Sequence, residues 1–332
     1  MLKISKTKYQ KMKQLSDQND VIAALAIDQR GSLRKMIAAG SETGEAKVED
    51  IQRFKSLVSK HLTPYSSSIL LDPEYGLPAA DVRDAESGLI IAYEETGYDA
   101  TSTDRLPDLL PEWSVRRIAA LNADAVKILL YYDVEGDTKV NDYKQAFIER
   151  VGSECEAEEI PYFLEILTYD EQIEDVKSKE YAEVKAHKVN EAMRVFSDSV
   201  YKVDVLKVEV PVNMNYVEGY CDASEQLYTA EEAEQLFVQQ SEATHLPFIF
   251  LSAGVSAKLF QDTLEFAHTA GSTFNGVLCG RATWKESVPI FGGGGDEAAI
   301  EWLKAEGKEN IENLNEVLKR TAQSWTTKVE QI

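Results

Sequence analysis

Charged side chains interrupt several apolar runs of this 332-residue sequence, and those runs otherwise have the length and composition of buried strands. Lys127 lies in AVKILLYYD, Glu165 in YFLEILT, and Lys207 and Glu209 in VLKVEVP, while Asp28 ends VIAALAID. Burying a charge costs free energy unless the charge is paired or performs a function. Two lysines and several carboxylates in such runs therefore predict a polar site built inside an apolar core.

The combination of buried lysines and carboxylates is typical of Schiff-base chemistry. Burial and a second nearby cation lower the pKa of a lysine, and the neutral amine then attacks a ketone. The resulting iminium accepts electrons from a breaking carbon–carbon bond, while a carboxyl group moves the protons. The pattern does not choose between Lys127 and Lys207 as the nucleophile. It also leaves the alternative that Lys127 and Glu165 form a structural ion pair between neighbouring strands.

Two loops rich in small residues begin at the ends of the last two apolar runs. SAGVS contains Ser252 and Gly254, and CGRATW contains Gly280 and Arg281. Small residues let backbone N–H groups approach an anion, and an arginine adds a forked donor. We interpret the two loops together as a phosphate-binding site. The alternative is a pair of tight turns, in which glycine is common for conformational reasons alone.

Eight apolar runs of strand length alternate with amphipathic segments of helical length. Their near-continuous hydrophobicity is typical of parallel strands that are buried on both faces. The alternation predicts an α/β fold, a single (β/α)8 TIM barrel with extra C-terminal helices and an active site at the carboxyl ends of the strands. The alternative is a doubly wound open sheet with an appended helical domain, although no GxGxxG follows the first run. The runs span residues 21–28, 67–73, 88–94, 125–133, 162–168, 205–211, 248–254 and 275–281, and the main amphipathic segments span 48–62, 111–123, 142–160, 178–198, 229–244 and 256–271.

Three segments outside this alternation carry more local expectations. The link 74–87 is short and not clearly helical, and the tail 296–330 predicts two surface helices that close the barrel. The run FGGGGDE, residues 291–297, lacks the lysine that a phosphate-binding P-loop requires. We interpret it as a flexible linker between helices, followed by Asp296 as a helix cap. We find no internal repeat or Pro-rich linker and expect one domain over the whole chain, residues 1–332.

Composition narrows the range of partners. Thirty-five Lys and Arg against 57 Asp and Glu leave a formal net charge of −22, which argues against nucleic acid or an anionic membrane as a partner. Three dispersed cysteines and a polar N-terminus without an apolar signal segment indicate a cytoplasmic location. The four histidines form no metal-binding motif, so we expect no metal and no cofactor. A homo-oligomer stays one alternative for the assembly.

Seven segments of the sequence closely resemble the class I tagatose-1,6-bisphosphate aldolases of Gram-positive bacteria. The resemblance covers nearly the whole chain, in order. It implies a metal-independent barrel enzyme that cleaves D-tagatose 1,6-bisphosphate to dihydroxyacetone phosphate and glyceraldehyde 3-phosphate, within lactose and galactose catabolism. The segments are LAIDQRGSLRKM, SSILLDPEYGLPA, AVKILLYYD, FLEILTYD, VDVLKVEVPVNM, THLPFIFLSAGVS and FNGVLCGRATW.

The resemblance also implies roles for individual residues. Lys207 corresponds to the Schiff-base lysine, Glu165 to the acid–base carboxylate and Lys127 to the second active-site lysine. Asp28, in the DQR segment at the substrate, is expected to be catalytic as well. Positions at the substrate or its phosphates correspond to Asp28, Gln29, Arg30, Ser252, Gly254, Gly280 and Arg281. Asp72 and Glu74, in DPEYGLP, we attribute first to turn chemistry and only second to the site.

Two alternatives for function stay open beside this one. Related Schiff-base aldolases act on fructose bisphosphate or sulfofructose phosphate, and family members tolerate several epimers of the substrate. An aldolase with an added regulatory binding role would carry the same site residues. The expected partner in each case is a phosphorylated ketose.

Overall fold

Eight parallel strands close into a barrel in the computed structural model, which describes residues 1–95 and 104–332. The chain begins with a short strand outside the barrel, β1 (Leu2–Ile4). The barrel strands follow in chain order as β2 (Ile22–Ala26), β3 (Ser68–Leu71), β4 (Gly88–Ala92), β5 (Ala125–Tyr132), β6 (Tyr162–Thr168), β7 (Val205–Val208), β8 (Phe248–Leu251) and β9 (Gly276–Cys279). Each lies within a predicted apolar run. The TIM barrel is confirmed, and the open-sheet alternative is wrong because β2 pairs with both β3 and β9.

Helices surround the barrel and connect its strands. They are α1 (Lys6–Gln14), α2 (Gly31–Gly40), α3 (Val48–Leu62), α4 (Leu77–Asp81), α5 (Val115–Ala119), α6 (Thr138–Ala157), α7 (Lys179–Phe196), α8 (Ala230–Glu242), α9 (Ala257–Thr269), α10 (Arg281–Trp284), α11 (Ser287–Trp302) and α12 (Lys308–Thr321). Helix α8 begins with a capping box, because the side chains of Thr229 and Glu232 each accept from the other residue's backbone N–H. Two expectations are corrected: the link 74–87 contains the short helix α4, and the helix predicted over 111–123 is shortened to α5.

The glycine run does not form a separate linker, contrary to the sequence-based prediction. It lies within α11, where the only interruption is at Gly295, whose φ of 74° breaks the helix directly before Asp296. Gly292 packs against α2, and a Cβ there would lie 2.7 Å from the carbonyl carbon of Gly40. The missing side chains therefore allow two helices to approach closely. A π-helical turn at Leu303–Gly307 joins α11 to α12, so the C-terminal helices are confirmed.

The two ends of the chain close the bottom of the barrel. Strand β10 (Val329–Gln331) pairs in parallel with β1, an element that the sequence did not predict. The buried indole of Trp325 donates to Ser16 Oγ at 2.7 Å. Above it, the lower barrel interior is apolar, with one group of inward side chains formed by Ala24, Leu70, Ile90, Ala125, Phe163, Val205, Ile249 and Leu278.

Strand register places the charged side chains directly above the apolar lower part of the barrel interior. Successive residues of a strand point to opposite faces, so Ala125 and Lys127 both face the interior. The same alternation holds for Phe163 and Glu165 on β6, and Glu165 is the register partner of Lys207 on β7. The charges therefore gather toward the carboxyl ends of the strands, as the barrel fold predicts. In the part of the chain that the structure describes, no helix is long and apolar enough to cross a membrane.

Candidate active site

Lys127 is the centre of a buried cluster of charges. Its Nζ lies 3.1 Å from Asp28, 2.7 Å from Glu94 and 2.8 Å from Glu165, measured to the nearest carboxylate oxygen. Burial lowers the pKa of this lysine, but attraction to Glu165, Glu94 and Asp28 outweighs burial and raises the pKa well above its usual value. Lys127 is therefore a permanent cation that holds three carboxylates in one place.

Glu165 connects the two active-site lysines. Its Oε2 lies 2.8 Å from Lys127 and its Oε1 lies 2.7 Å from Lys207 Nζ. Burial raises the pKa of Glu165, but the two lysines more than offset this effect and lower the pKa below its usual value. Asp28 shows the same balance, with burial opposed by Lys127 and then Lys207, and its pKa is lowered. Both carboxyl groups are thus held as anions beside the lysines.

Glu94 belongs to this cluster, although the sequence analysis did not single it out. Its Oε2 accepts from the backbone N–H of Leu129 at 3.2 Å, while Oε1 accepts from Lys127. Burial is the dominant influence and raises the pKa of Glu94 despite the nearby Lys127. A signal was present in the sequence, because Glu94 follows a buried strand by two residues, as Asp28 does.

A second polar layer supports the cluster from the side of β2 and β3. Lys55, fully buried on α3, pairs with Asp72 and also donates to the backbone oxygen of Ile27 at 2.8 Å. The sequence pattern did not predict this role for Lys55, because residues 48–62 have the pattern of an amphipathic surface helix, in which lysines are normally exposed. Its position was informative, since it falls in the apolar stripe between Ile51 and Val58. Asp72, attributed to turn chemistry, also has this structural role.

Arg30 lies inside the same layer. Its guanidinium is buried and donates to Glu74 at 2.5 Å and to the backbone oxygen of Glu94 at 2.8 Å, and it lies 3.8 Å from Asp72. The geometry favours a role in holding Glu94 in place. Binding of the substrate by Arg30, which the resemblance implies, stays a prediction.

Glu209 does not join the cluster, although it lies in the same apolar run as Lys207. Its carboxylate accepts from the backbone N–H and the hydroxyl of Thr168, both at 2.9 Å, and lies 3.3 Å from Lys185. The expectation that all charges in the apolar runs meet at one site is therefore wrong for Glu209. It ties β6 and β7 to helix α7.

The two glycine-containing loops meet at one side of the barrel mouth. Gly254 has a φ of +77°, and a Cβ there would lie 3.1 Å from the guanidinium of Arg281. Arg281 is exposed and has no ion-pair partner among the residues described. Ser252 is buried nearby, and its hydroxyl forms a hydrogen bond to the sulfur of Cys279. The guanidinium of Arg281 thus lies beside the turn that contains Gly254. Phosphate binding by the two loops stays a prediction.

Gln29 completes the mouth on the side of β2. Its Oε1 is buried and has no hydrogen-bond donor among the residues that the structure describes. Its Nε2 lies against Gly280, where a Cβ would come within 3.6 Å of it. An unsatisfied buried acceptor costs free energy, so it is suited to a hydroxyl donor from a bound ligand. Over residues 1–95 and 104–332, no group of three or more His, Cys, Asp and Glu side chains is arranged to hold a metal ion.

A family model described as DeoC/LacD family aldolase matches residues 22–286, a span that contains every residue of the cluster. The chain belongs to the DeoC/LacD aldolase family. The enzyme is therefore a lyase of carbon–carbon bonds, and the resemblance found in its sequence is confirmed.

Curated relatives match this aldolase over nearly its full length. It is 61% identical over 331 residues to tagatose 1,6-diphosphate aldolase 2 of Enterococcus faecalis, with 99% of each chain covered. It is 60% identical over 326 residues to the protein of the same name from Streptococcus mutans, with 98% of each covered. It is 58% identical to tagatose 1,6-diphosphate aldolase of Staphylococcus haemolyticus, covering 98% of this chain and 99% of the relative.

Solved structures support the fold alone. A fructose-bisphosphate aldolase from Plasmodium falciparum, solved with TRAP and an inhibitor, superposes on the aldolase with a TM-score of 0.69 at 16% identity, covering 98% of this chain and 95% of that one. A protein from Corynebacterium glutamicum gives a TM-score of 0.58 at 14% identity, with 94% and 91% covered.

Proposed function

We propose that this enzyme cleaves D-tagatose 1,6-bisphosphate to dihydroxyacetone phosphate and D-glyceraldehyde 3-phosphate through a Schiff base on Lys207. The observation that carries the proposal is the position of Glu165, whose two oxygens lie 2.7 Å from Lys207 and 2.8 Å from Lys127. Relatives about 60% identical that are named for this substrate support the choice of sugar.

The two lysines differ in their surroundings, and this difference favours Lys207 as the nucleophile. Three carboxylates surround Lys127 and keep it protonated, whereas Lys207 has Glu165 as its only ion-pair partner in the described part of the chain. A protonated amine cannot attack a carbonyl. Glu165 is placed to take the proton of Lys207, while the permanent charge of Lys127 holds Glu165 in position.

Schiff-base formation and cleavage both require a proton carrier, for which we propose Glu165. The Lys207 amine adds to the C2 ketone, and protonated Glu165 gives its proton to the carbinolamine hydroxyl, which leaves as water. Glu165 then takes the proton of the C4 hydroxyl as the C3–C4 bond breaks, and the bonding electrons move onto the iminium to form an enamine. Glyceraldehyde 3-phosphate leaves. Protonation at C3 and hydrolysis of the iminium release dihydroxyacetone phosphate and free Lys207.

The remaining predicted residues position the substrate in this scheme. Ser252, Gly254, Gly280 and Arg281 bind the phosphate next to the ketone, because their loops follow β8 and β9, the strands after that of Lys207. Gln29 accepts from a sugar hydroxyl. Asp28 helps to orient Lys127 and faces the same space.

Trapping with borohydride tests the proposal directly. Reduction in the presence of dihydroxyacetone phosphate is expected to inactivate the enzyme and to add one reduced ligand, which peptide mass spectrometry places on Lys207. The variant Lys207→Met is expected to be inactive and unlabelled. Lys127→Arg, which preserves the cation, serves as the control and is expected to be labelled at Lys207. Labelling of Lys127 in the native enzyme would contradict the assignment.

Metal independence and substrate breadth are separate parts of the proposal. Full activity after dialysis against EDTA is expected, and loss of activity restored by a divalent cation would point to a metal-dependent aldolase. We propose that other ketohexose 1,6-bisphosphates are also cleaved. Parallel assays with tagatose, fructose and sorbose bisphosphates and with sulfofructose phosphate measure this breadth, and activity confined to one sugar would contradict it.

We also propose that the enzyme functions in the cytoplasm. Cys155, Cys221 and Cys279 are free thiols, and two of them are buried. A reducing compartment keeps such thiols free.

A further inference from the structure

A cation that the proposed mechanism does not use lies at the mouth of the barrel. The guanidinium of Arg105 lies 4.4 Å from the ring centre of Tyr169 and 5.0 Å from that of Tyr131. Among residues 1–95 and 104–332, no carboxylate lies within ion-pair distance of it. Stacking on aromatic faces holds a guanidinium in a fixed plane and leaves its edge N–H groups for an acceptor.

Tyr131 shows that this arginine borders the catalytic space. Tyr131 is four residues beyond Lys127 on β5, so both side chains face the barrel interior. On this otherwise buried strand, only Leu129 and Tyr131 are partly exposed, which indicates open space above Lys127. At about 3.3 Å per residue, the backbone of Tyr131 lies roughly 13 Å further toward the mouth. Arg105 therefore lies at the rim, above the charged cluster.

The order of strands around the barrel sets Arg105 against Arg281. Arg105 contacts Tyr131 on β5 and Tyr169, which follows β6, so it lies where β5 meets β6. Arg281 follows β9 and contacts Gly254, which follows β8. Strand β7, which carries Lys207, lies midway between these two positions in the closed barrel. The proposed nucleophile thus has on each side one arginine for which the described residues provide no carboxylate partner.

We propose that Arg105 binds the second phosphate of the substrate, the one carried by the aldehyde half. The inference rests on the proposed function, because only a bisphosphate needs two anion sites on opposite sides of the reacting carbon. The loops after β8 and β9 bind the phosphate beside the ketone. The sugar chain then crosses over Lys207, and its far phosphate reaches Arg105.

Hydrogen bonds hold Tyr169, one of the two rings that contact Arg105, in a fixed position. The buried Lys144 donates to the Tyr169 hydroxyl at 3.0 Å, and that hydroxyl lies 3.5 Å from the backbone oxygen of Asp104. Arg105 has a φ of 44°, in the left-handed region that side chains other than glycine rarely adopt. A conformation of this kind persists where the surroundings enforce it. The guanidinium is therefore positioned before any ligand arrives.

Aldol synthesis with two acceptors tests this inference. Dihydroxyacetone phosphate is condensed either with D-glyceraldehyde 3-phosphate or with unphosphorylated D-glyceraldehyde, and kcat/KM is measured for each aldehyde. The ratio of interest is kcat/KM for D-glyceraldehyde 3-phosphate divided by kcat/KM for D-glyceraldehyde. In Arg105→Met, this ratio is expected to fall about 10- to 100-fold, because a charge-assisted bond to phosphate is lost. Arg105→Lys is expected to restore part of the ratio, because lysine keeps the charge without the planar stack.

Controls separate this inference from the proposed function. Arg116→Met, at an exposed position on α5, is expected to leave the ratio unchanged. Arg281→Met is expected to raise the KM for dihydroxyacetone phosphate with either aldehyde. An unchanged ratio in Arg105→Met, or equal losses with both aldehydes, would overturn the inference while the native enzyme stays active. A native enzyme without aldol activity would instead contradict the proposed function. If Arg105→Met does not fold, Arg105→Gln is measured in the same assay.

Discussion

Glu165 and Lys207 are register partners on neighbouring strands, and 2.7 Å separates Oε1 of the first from Nζ of the second. The pairing is a consequence of the barrel, since parallel strands align these two inward positions side by side. Because Lys127 holds the other oxygen of Glu165, the carboxylate is shared between a permanent cation and the proposed nucleophile. Proton transfer to and from Lys207 thus requires no movement of the backbone.

Replacing Glu165 by glutamine tests the proton-transfer role. Glu165→Gln keeps the shape of the side chain but cannot move a proton, so kcat is expected to fall about 10²- to 10⁴-fold. Steady-state cleavage assays measure this effect. Glu209→Gln is the matched control, because Glu209 bonds to Thr168 outside the cluster, and its kcat is expected to change less than about tenfold. Similar losses in the two variants would contradict a special role for Glu165.

The ionised carboxylate of Asp28 is expected to contribute to the free energy of unfolding, and this contribution should decrease at acidic pH. Its pKa in the folded state is lowered from the ordinary value of 3.8 by Lys127 and Lys207, despite the opposing effect of burial. A lowered folded-state pKa stabilises the fold above pH 4, and this contribution is lost as the pH falls further. Asp28→Asn is expected to lower the free energy of unfolding by about 2 to 4 kcal/mol at pH 7 and to weaken its decline below pH 4.

Urea denaturation at several pH values measures this dependence. Asp81→Asn, at an exposed position, is the control and is expected to change the free energy of unfolding by less than about 0.5 kcal/mol. If Asp28→Asn and the native enzyme lost stability in parallel below pH 4, the carboxyl group would not be the source.

The buried pair of Lys55 and Asp72 is expected to show strong coupling. Lys55→Met leaves Asp72 without its main partner and should cost about 3 to 5 kcal/mol of stability. The double variant Lys55→Met with Asp72→Leu removes both charges, so its loss should be clearly smaller than the sum of the two single losses. Lys60→Met, at an exposed position on the same helix, controls for the loss of a lysine. Additive losses would show that the two charges do not interact.

Lys328 is expected to destabilise the protein at neutral pH. Burial alone lowers the pKa of Lys328 to about 7, and its Nζ lies 4.3 Å from the ring centre of Phe248. The unfolded chain binds the proton more tightly, so stability should rise with pH between about 7 and 10.5. Lys328→Met should therefore increase the free energy of unfolding by about 1 to 3 kcal/mol at pH 7.

The gain in Lys328→Met should largely disappear near pH 10.5, where the folded lysine is already neutral and the unfolded lysine is about half deprotonated. Denaturation at pH 7 and pH 10.5 measures the difference. Lys139→Met, at an exposed position on α6, is the matched control and should show no gain at either pH. A gain independent of pH would indicate better packing of methionine instead of removal of a buried charge.

The sequence by itself determined the architecture and the residues that most define the site. Each barrel strand lies within one of the eight apolar runs, because a strand buried on both faces must be apolar along nearly its whole length. Lys127 and Glu165 stood out for the same reason, since a charge in such a run is costly. The choice of Lys207 over Lys127 needed the resemblance to a known family, because strand composition is the same around both.

Tertiary structure decided which of these charges meet. Lys207 and Glu209 share one run, yet Lys207 pairs with Glu165 while Glu209 bonds to Thr168 beyond the end of β7. Glu94 and Lys55 entered the site only in three dimensions, one from a strand end and one from a helix. Side-chain periodicity describes each element separately, whereas ion pairing depends on distances between elements that only the closed barrel sets. The two arginines on either side of Lys207 are likewise defined by the order of strands around the barrel.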